Sequence, residues 1–197
     1  MKTINALVAT AIFTMMMSSI LVMPVHAQVD FDSWVGHWFS GNVLDRGVLV
    51  DDTGTARIAD STNAYGYIQC WDENQSMFYI WLVEYDADTG TYRDAVPYNL
   101  QVINGTPLDF VGYGFLPPGT IPEVEILTVI MSFKGYERNG DLIAAQIMSV
   151  GGCVIYNLGG GMYFSASESI RARMFPASRV PDEVQEKLLG LPPCPQP

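Results

Sequence analysis

Histidine, cysteine and positive charge are scarce in this chain: 197 residues hold two histidines, three cysteines and ten lysines and arginines, against twenty-one acids. Each shortage excludes something. Cys70, Cys153 and Cys194 lie far apart, and with so few histidines they offer no paired-ligand spacing for zinc, so no metal set is expected. A net charge of −11 repels a phosphate backbone and an anionic membrane surface alike, which argues against nucleic acid as a partner. No Gly-x-Ser-x-Gly elbow is present to seat a nucleophile. Gly151-Gly152 and Gly159-Gly160-Gly161 are not followed by a helix opening on Lys-Ser/Thr, so they read as bulges or tight turns and not as a phosphate cradle. No cofactor is expected. Helical periodicity is nearly absent, and beyond residue 23 no window approaches the roughly 20 continuous apolar residues of a spanning helix.

The N-terminus carries the clearest signal that is present. Lys2 precedes an apolar run over 4–23, a break at Pro24, and Val25-His26-Ala27 with the small residue favoured at a secretory cleavage site. Residues 1–27 read as a signal peptide, with a single domain over 28–197 released to a secreted or periplasmic location. No cysteine follows the expected cleavage point to accept a lipid, so no membrane anchor is expected after cleavage. Loss of Lys2 leaves nine basic against twenty-one acidic residues, a net charge of −12, and loss of His26 leaves His37 as the one histidine. In an oxidising compartment three cysteines allow one disulfide and one free thiol. Cys194 sits in the Pro-rich tail 190–197, which has no apolar pattern of its own, so a bond from that tail to the body, Cys70 to Cys194, is the favoured pairing among three.

After Gln28 short apolar stretches, often alternating, are cut by Gly, Asp, Asn and Pro. That rhythm predicts antiparallel sheet, with strands near 36–44, 47–51, 55–60, 64–71, 76–86, 91–104, 109–115, 123–134, 141–150, 153–158 and 162–174. Turns fall at 52–54, 72–74, 86–90 and 138–141, where Asp, Asn and Gly accept positive φ or bond their own backbone. One helix is expected, Pro181 to Leu189, packing Val184 and Leu188 on the body. The fold class is therefore all-β, antiparallel, with a short C-terminal helix; barrel and sandwich both fit.

Two strands say more. In 77–85, Phe78, Ile80 and Leu82 form one apolar face while Tyr79, Trp81, Val83 and Tyr85 form a second, aromatic one. One face meets a core; the other needs a second layer, a subunit or a ligand. In 162–174 the apolar side is interrupted by Glu168 alone, an acid that must find a partner, an arginine above all, or accept a raised pKa.

Phe31-Asp32-Ser33-Trp34-Val35-Gly36-His37-Trp38-Phe39 resembles the opening of calycin barrels (lipocalins, fatty-acid-binding proteins and avidins) through its Gly-x-Trp element at the first strand. The resemblance covers about nine residues closely, lacks the middle lipocalin element, and shortens the spacing to the glycine. It implies a lipocalin-like barrel of about 8–10 strands, with Trp38 closing the floor and Arg171 or Arg173 packing across it. It also fits a short helix and a tail disulfide after the last strand.

Candidate chemistry is thin. Asp52-Thr53-Gly54 and Asp88-Thr89-Gly90 spell the aspartic-protease loop but fall where hairpin turns belong. Asp86, Asp88, Thr89 and Asp94 read as a solvated acidic turn because their spacing is not that of a calcium loop. Asp60, Glu84, Asp94, Glu125 and Glu168 are the carboxylates from which an acid pair would come, and none stands out by spacing. The reading leans away from an enzyme. The expected function is a secreted protein that holds a small hydrophobic or amphipathic molecule, with Tyr79, Trp81, Tyr85 and Trp38 lining the ligand space. A glycan-binding sandwich presenting Trp71, Trp81 or Tyr113, and a structural subunit or homo-oligomer, are the alternatives.

Overall fold

A computed structural model of the protein describes residues 29–121 and 124–194. The expected signal segment and the last three residues lie outside that range.

The strands are β1 (Trp38–Asp51), β2 (Gly54–Asp72), β3 (Met77–Asp86), β4 (Thr91–Tyr92), β5 (Val96–Thr106), β6 (Asp109–Phe115), β7 (Val124–Arg138), β8 (Asp141–Gly159) and β9 (Met162–Phe175). Each long strand pairs antiparallel with its neighbours in sequence, β4 only extends the end of β3, and β1 pairs with β9. Together with the β2–β3 pairing this closes eight strands into a hydrogen-bonded ring. The fold is all-β and antiparallel, as the alternation predicts.

Local chemistry makes the turns. The Asp51 carboxylate accepts from the Thr53 and Gly54 amides, and Asp86 accepts from Asp88 and Thr89, which closes both protease-like tripeptides as hairpin tips. Asn139 and Gly140 take positive φ between β7 and β8, and Gly159, Gly160 and Gly161 do so between β8 and β9. At Gly151-Gly152 the β8–β9 register slips between Met148 and Val154, and the Ser149 hydroxyl accepts from the Ile170 amide in place of a ladder bond.

The expected strands 36–44 and 47–51 are one strand, as are 55–60 with 64–71 and 141–150 with 153–158, while 91–104 divides into β4 and β5. Neither the polar residues between the first two pairs nor Gly151-Gly152 in the third end a strand.

Inside the ring, one end is filled. Phe39, Ile68, Phe78, Ile80, Leu100, Phe110, Met131 and Phe133 form its core, plugged by Trp34 from a 3-10 turn over Asp32–Trp34. The Trp34 ring is fully buried against Phe39, Phe110 and Phe133, and its indole N–H donates to the Pro107 carbonyl at 2.8 Å. The tryptophan in the floor is therefore Trp34. Trp38 lies one register step away, outside the ring, where it meets Tyr67 with ring centroids 5.0 Å apart and packs with Val83, Val180 and Val184. Arg171 and Arg173, opposite Asn42 and Ser40, share that outward register. Strand parity explains the difference, since Phe39 takes the inward position and its neighbours must face out.

The outer cluster is a second layer made by the chain's own C-terminus. Helix α1 (Asp182–Glu186), shorter than the expected Pro181–Leu189, presses fully buried Val184 toward Val83 of β3, and partly buried Leu188 joins that cluster from the turn that follows. Beyond it the Gln69 side-chain amide donates to the Pro192 carbonyl at 2.8 Å and Cys194 is bonded to Cys70, which leaves Cys153 free and exposed. In the chain-entropy picture a cross-link spanning 124 residues stabilises the fold by about 4–5 kcal/mol.

Candidate functional site

The end of the ring opposite Trp34 is hollow. A cavity of about 440 Å³ is walled by Val43, Leu49, Ile58, Leu82, Val96, Leu116, Ile121, Leu127, Tyr156, Leu158 and Phe164. A further apolar void of about 60 Å³ shares Val43, Leu82 and Tyr98 with it and reaches toward the filled core. Tyr156 and Phe164 stack with centroids 5.9 Å apart as one aromatic wall.

Strand lengths place the opening. Strand β2 pairs with β1 from Gly54 onward, but with β3 only from Ala64, so residues 54–63 have a ladder partner on one side alone. The short strands β3, β5 and β6 stop below the level that β1, β2, β8 and β9 reach. Ile58, Asp60, Thr62, Arg93, Asp94, Leu116 and Ile121 line this side, and the stiff Pro117-Pro118 loop forms part of its rim.

Across the cavity runs a row of acids. Asp45 on β1 lies directly opposite Asp60 on β2 and directly opposite Glu168 on β9, so three carboxylates occupy adjacent inward positions on three neighbouring strands. At sheet spacing the row spans about 10 Å, and like charges placed opposite one another destabilise a sheet. Half-buried Glu84 on β3 is nearby, with the one base of the lining, Arg93, 4.0 Å from it. Arg93 also donates to Asp86 at 3.3 Å, and Asp94 pairs with Lys187 at 2.9 Å on the rim.

The environment pushes Glu168, Asp45 and Glu84 toward their neutral forms. Burial, then the charges of Asp45 and Glu84, raises the Glu168 pKa to about 8. Asp45 is raised by burial and by Asp60; Glu84 is raised by burial, with Arg93 opposing. Burial also raises the phenols of Tyr98 and Tyr156. One Asp45 carboxylate oxygen and the Tyr98 hydroxyl are buried with no hydrogen-bond partner. Among the described residues no three acid, histidine or cysteine side chains converge closely enough to hold a metal ion.

The residues expected from sequence divide sharply. Tyr79, Trp81 and Tyr85 stand on the outward face of β3, alternating with the inward Phe78, Ile80, Leu82 and Glu84; the Trp81 indole donates to Gln69 at 2.7 Å. The C-terminal layer packs on Val83 between these rings, Tyr85 meets Tyr92 at 5.3 Å between centroids, and the cavity is lined by the opposite face. Trp71 is stacked under Phe31, away from Trp81, so no flat aromatic strip joins them to Tyr113. Of the carboxylates, Asp60, Glu84, Asp94 and Glu168 all line the cavity, while Glu125 accepts from Asn157. Glu168 has acidic neighbours where an arginine is expected, because Arg171 and Arg173 have outward parity. Asp45 was missed; the signal was its place two residues before Gly47 and two after Val43, in phase with Phe39. His37 precedes β1, does not line the cavity, and is held below the ordinary imidazole range by burial. No known protein family, curated protein or solved structure matches this chain.

Proposed function

We propose that the protein is a secreted binding protein that takes a small amphipathic molecule into the hollow end of its ring. The carrying observation is a cavity of about 440 Å³, within the range of small-molecule sites, whose walls are mostly apolar and whose polar groups gather in one row. A secretory start to the chain and the Cys70–Cys194 bond both suit an oxidising compartment. The meander closed by β1 against β9 supports a barrel that carries its ligand inside.

Nile red, a neutral probe that brightens in apolar sites, tests this. It is expected to bind the wild-type protein, to lose at least tenfold in affinity on Leu127→Trp, which fills the cavity, and to be unaffected by Trp81→Phe on the outer face. Equal binding by wild type and Leu127→Trp refutes an interior site.

A further inference from the structure

We propose that the ligand is an organic cation with an apolar body, an amine whose ammonium group rests against Asp60, Asp45 and Glu168. This rests on the binding function above and names the chemistry of that same site.

The argument begins with what the row lacks. Three carboxylates on adjacent strands would ordinarily be offset by a facing lysine or arginine, yet the lining holds one base, Arg93, already shared between Glu84 and Asp86 at the mouth. Glu168 is 8 % exposed and faces the cavity, beside an Asp45 carboxylate oxygen that is buried with no hydrogen-bond partner. The Tyr98 hydroxyl, on a residue 2 % exposed that lines the same cavity, is likewise unpartnered. Buried acceptors left in this state cost free energy unless something donates to them.

A metal ion is the wrong size for this row. Its ligands must converge to within about 2.5 Å of one point, whereas these carboxylates are strung along successive strands over about 10 Å. A primary ammonium has three N–H donors and a unit charge, and the apolar wall suits the rest of such a molecule: Leu82, Tyr156 and Phe164 are the surfaces it would cover, with a cation beside aromatic rings favoured in its own right.

Binding then carries a proton signature. The groups facing Glu168 are Asp45, Asp60 and Glu84 from β1, β2 and β3, Tyr98 from β5, Tyr156 from β8, and Arg93 and Asp94 at the mouth. With a pKa near 8, Glu168 is largely protonated at neutral pH. An arriving ammonium stabilises the carboxylate, so the carboxyl proton passes to buffer as the ion pair forms.

Three probes sharing an indole body separate the outcomes: tryptamine (cationic), 3-methylindole (neutral) and indole-3-propionate (anionic), titrated calorimetrically into the full-length folded protein. Tryptamine is expected to bind at least tenfold tighter than either, to release close to one proton at pH 7 when buffers of different ionisation enthalpy are compared, and to lose at least tenfold in affinity on Asp45→Asn or Glu168→Gln. Both variants replace a buried carboxyl group by an amide and are checked for fold by circular dichroism. Equal affinity for tryptamine and 3-methylindole overturns the cation inference and leaves an interior binding site standing. Failure of all three probes overturns both. Submillimolar calcium binding that competes with tryptamine assigns the row to an inorganic ion and also overturns the inference.

Discussion

Glu168 is the residue on which sequence and structure meet. An acid breaking an otherwise apolar alternation was legible as a buried group needing a partner, but the identity of its neighbours was not, because register decides it. Two arginines lie three and five residues along the same strand, and both have the opposite parity. Its actual neighbours are acids, and that has a consequence for stability. A carboxyl whose pKa is about 8 when folded and near 4.3 when unfolded binds protons more tightly in the native state, so its contribution is favourable at low pH and is lost as pH rises toward 8. Asp45 and Glu84, also raised, act in the same direction. Glu168→Gln is therefore expected to raise Tm at pH 8.5, by stabilisation on the order of 2 kcal/mol, and to change it little at pH 4, measured by thermal melts across that range. An unchanged or lowered Tm at pH 8.5 would show that the folded protein already compensates this charge.

At the scale of elements, turn chemistry and alternation were readable, and long strands were not. Asp45-Arg46-Gly47 and Asp60-Ser61-Thr62-Asn63 look like punctuation, since polar residues and glycine usually end strands. Here they are continuous β1 and β2 crossing an acid-lined cavity, so the apparent gaps mark the site itself. The aromatic face of β3 was expected to need a second layer, subunit or ligand, and at its Val83 position helix α1 packs on it, with the tail that Cys194 fastens beyond. Glycines on β1 have a definite task beside this site. Gly41 and Gly47 bracket Asp45 on the inward side, and a Cβ at Gly47 would run into the Ser165 carbonyl and Ala166 on β9, with backbone atoms that cannot swing away. Gly47→Ala is expected to cost about 1–3 kcal/mol through overpacking, read as a fall in denaturation midpoint. Val48→Ala, on the exposed face of the same strand, should shift that midpoint by well under 1 kcal/mol. Similar midpoints for the two would mean that β1 and β9 separate easily at this point.

For the whole molecule, the two ends of the ring differ in how completely they are closed. Around Trp34 each strand has partners on both sides, and the indole, Phe110 and Phe133 fill the space between them. Around the acid row β2 is paired to β1 alone, and the pairing with β3 begins only at Ala64. A backbone amide with no ladder partner opens to water without disturbing its neighbours, so local stability should fall steeply from floor to mouth. Native-state hydrogen exchange is expected to find the slowest amides in Phe78–Ile80 and Val129–Phe133. Within 54–63, amides facing β1 should be intermediate and those facing away from it should exchange fastest. Tryptamine should slow exchange in 58–62 and around Leu127 while leaving the floor unchanged, because a guest in the hollow end orders only the walls it touches. Uniform protection along β2 would mean that the upper wall is sealed, and entry to the cavity would then require the ring itself to open.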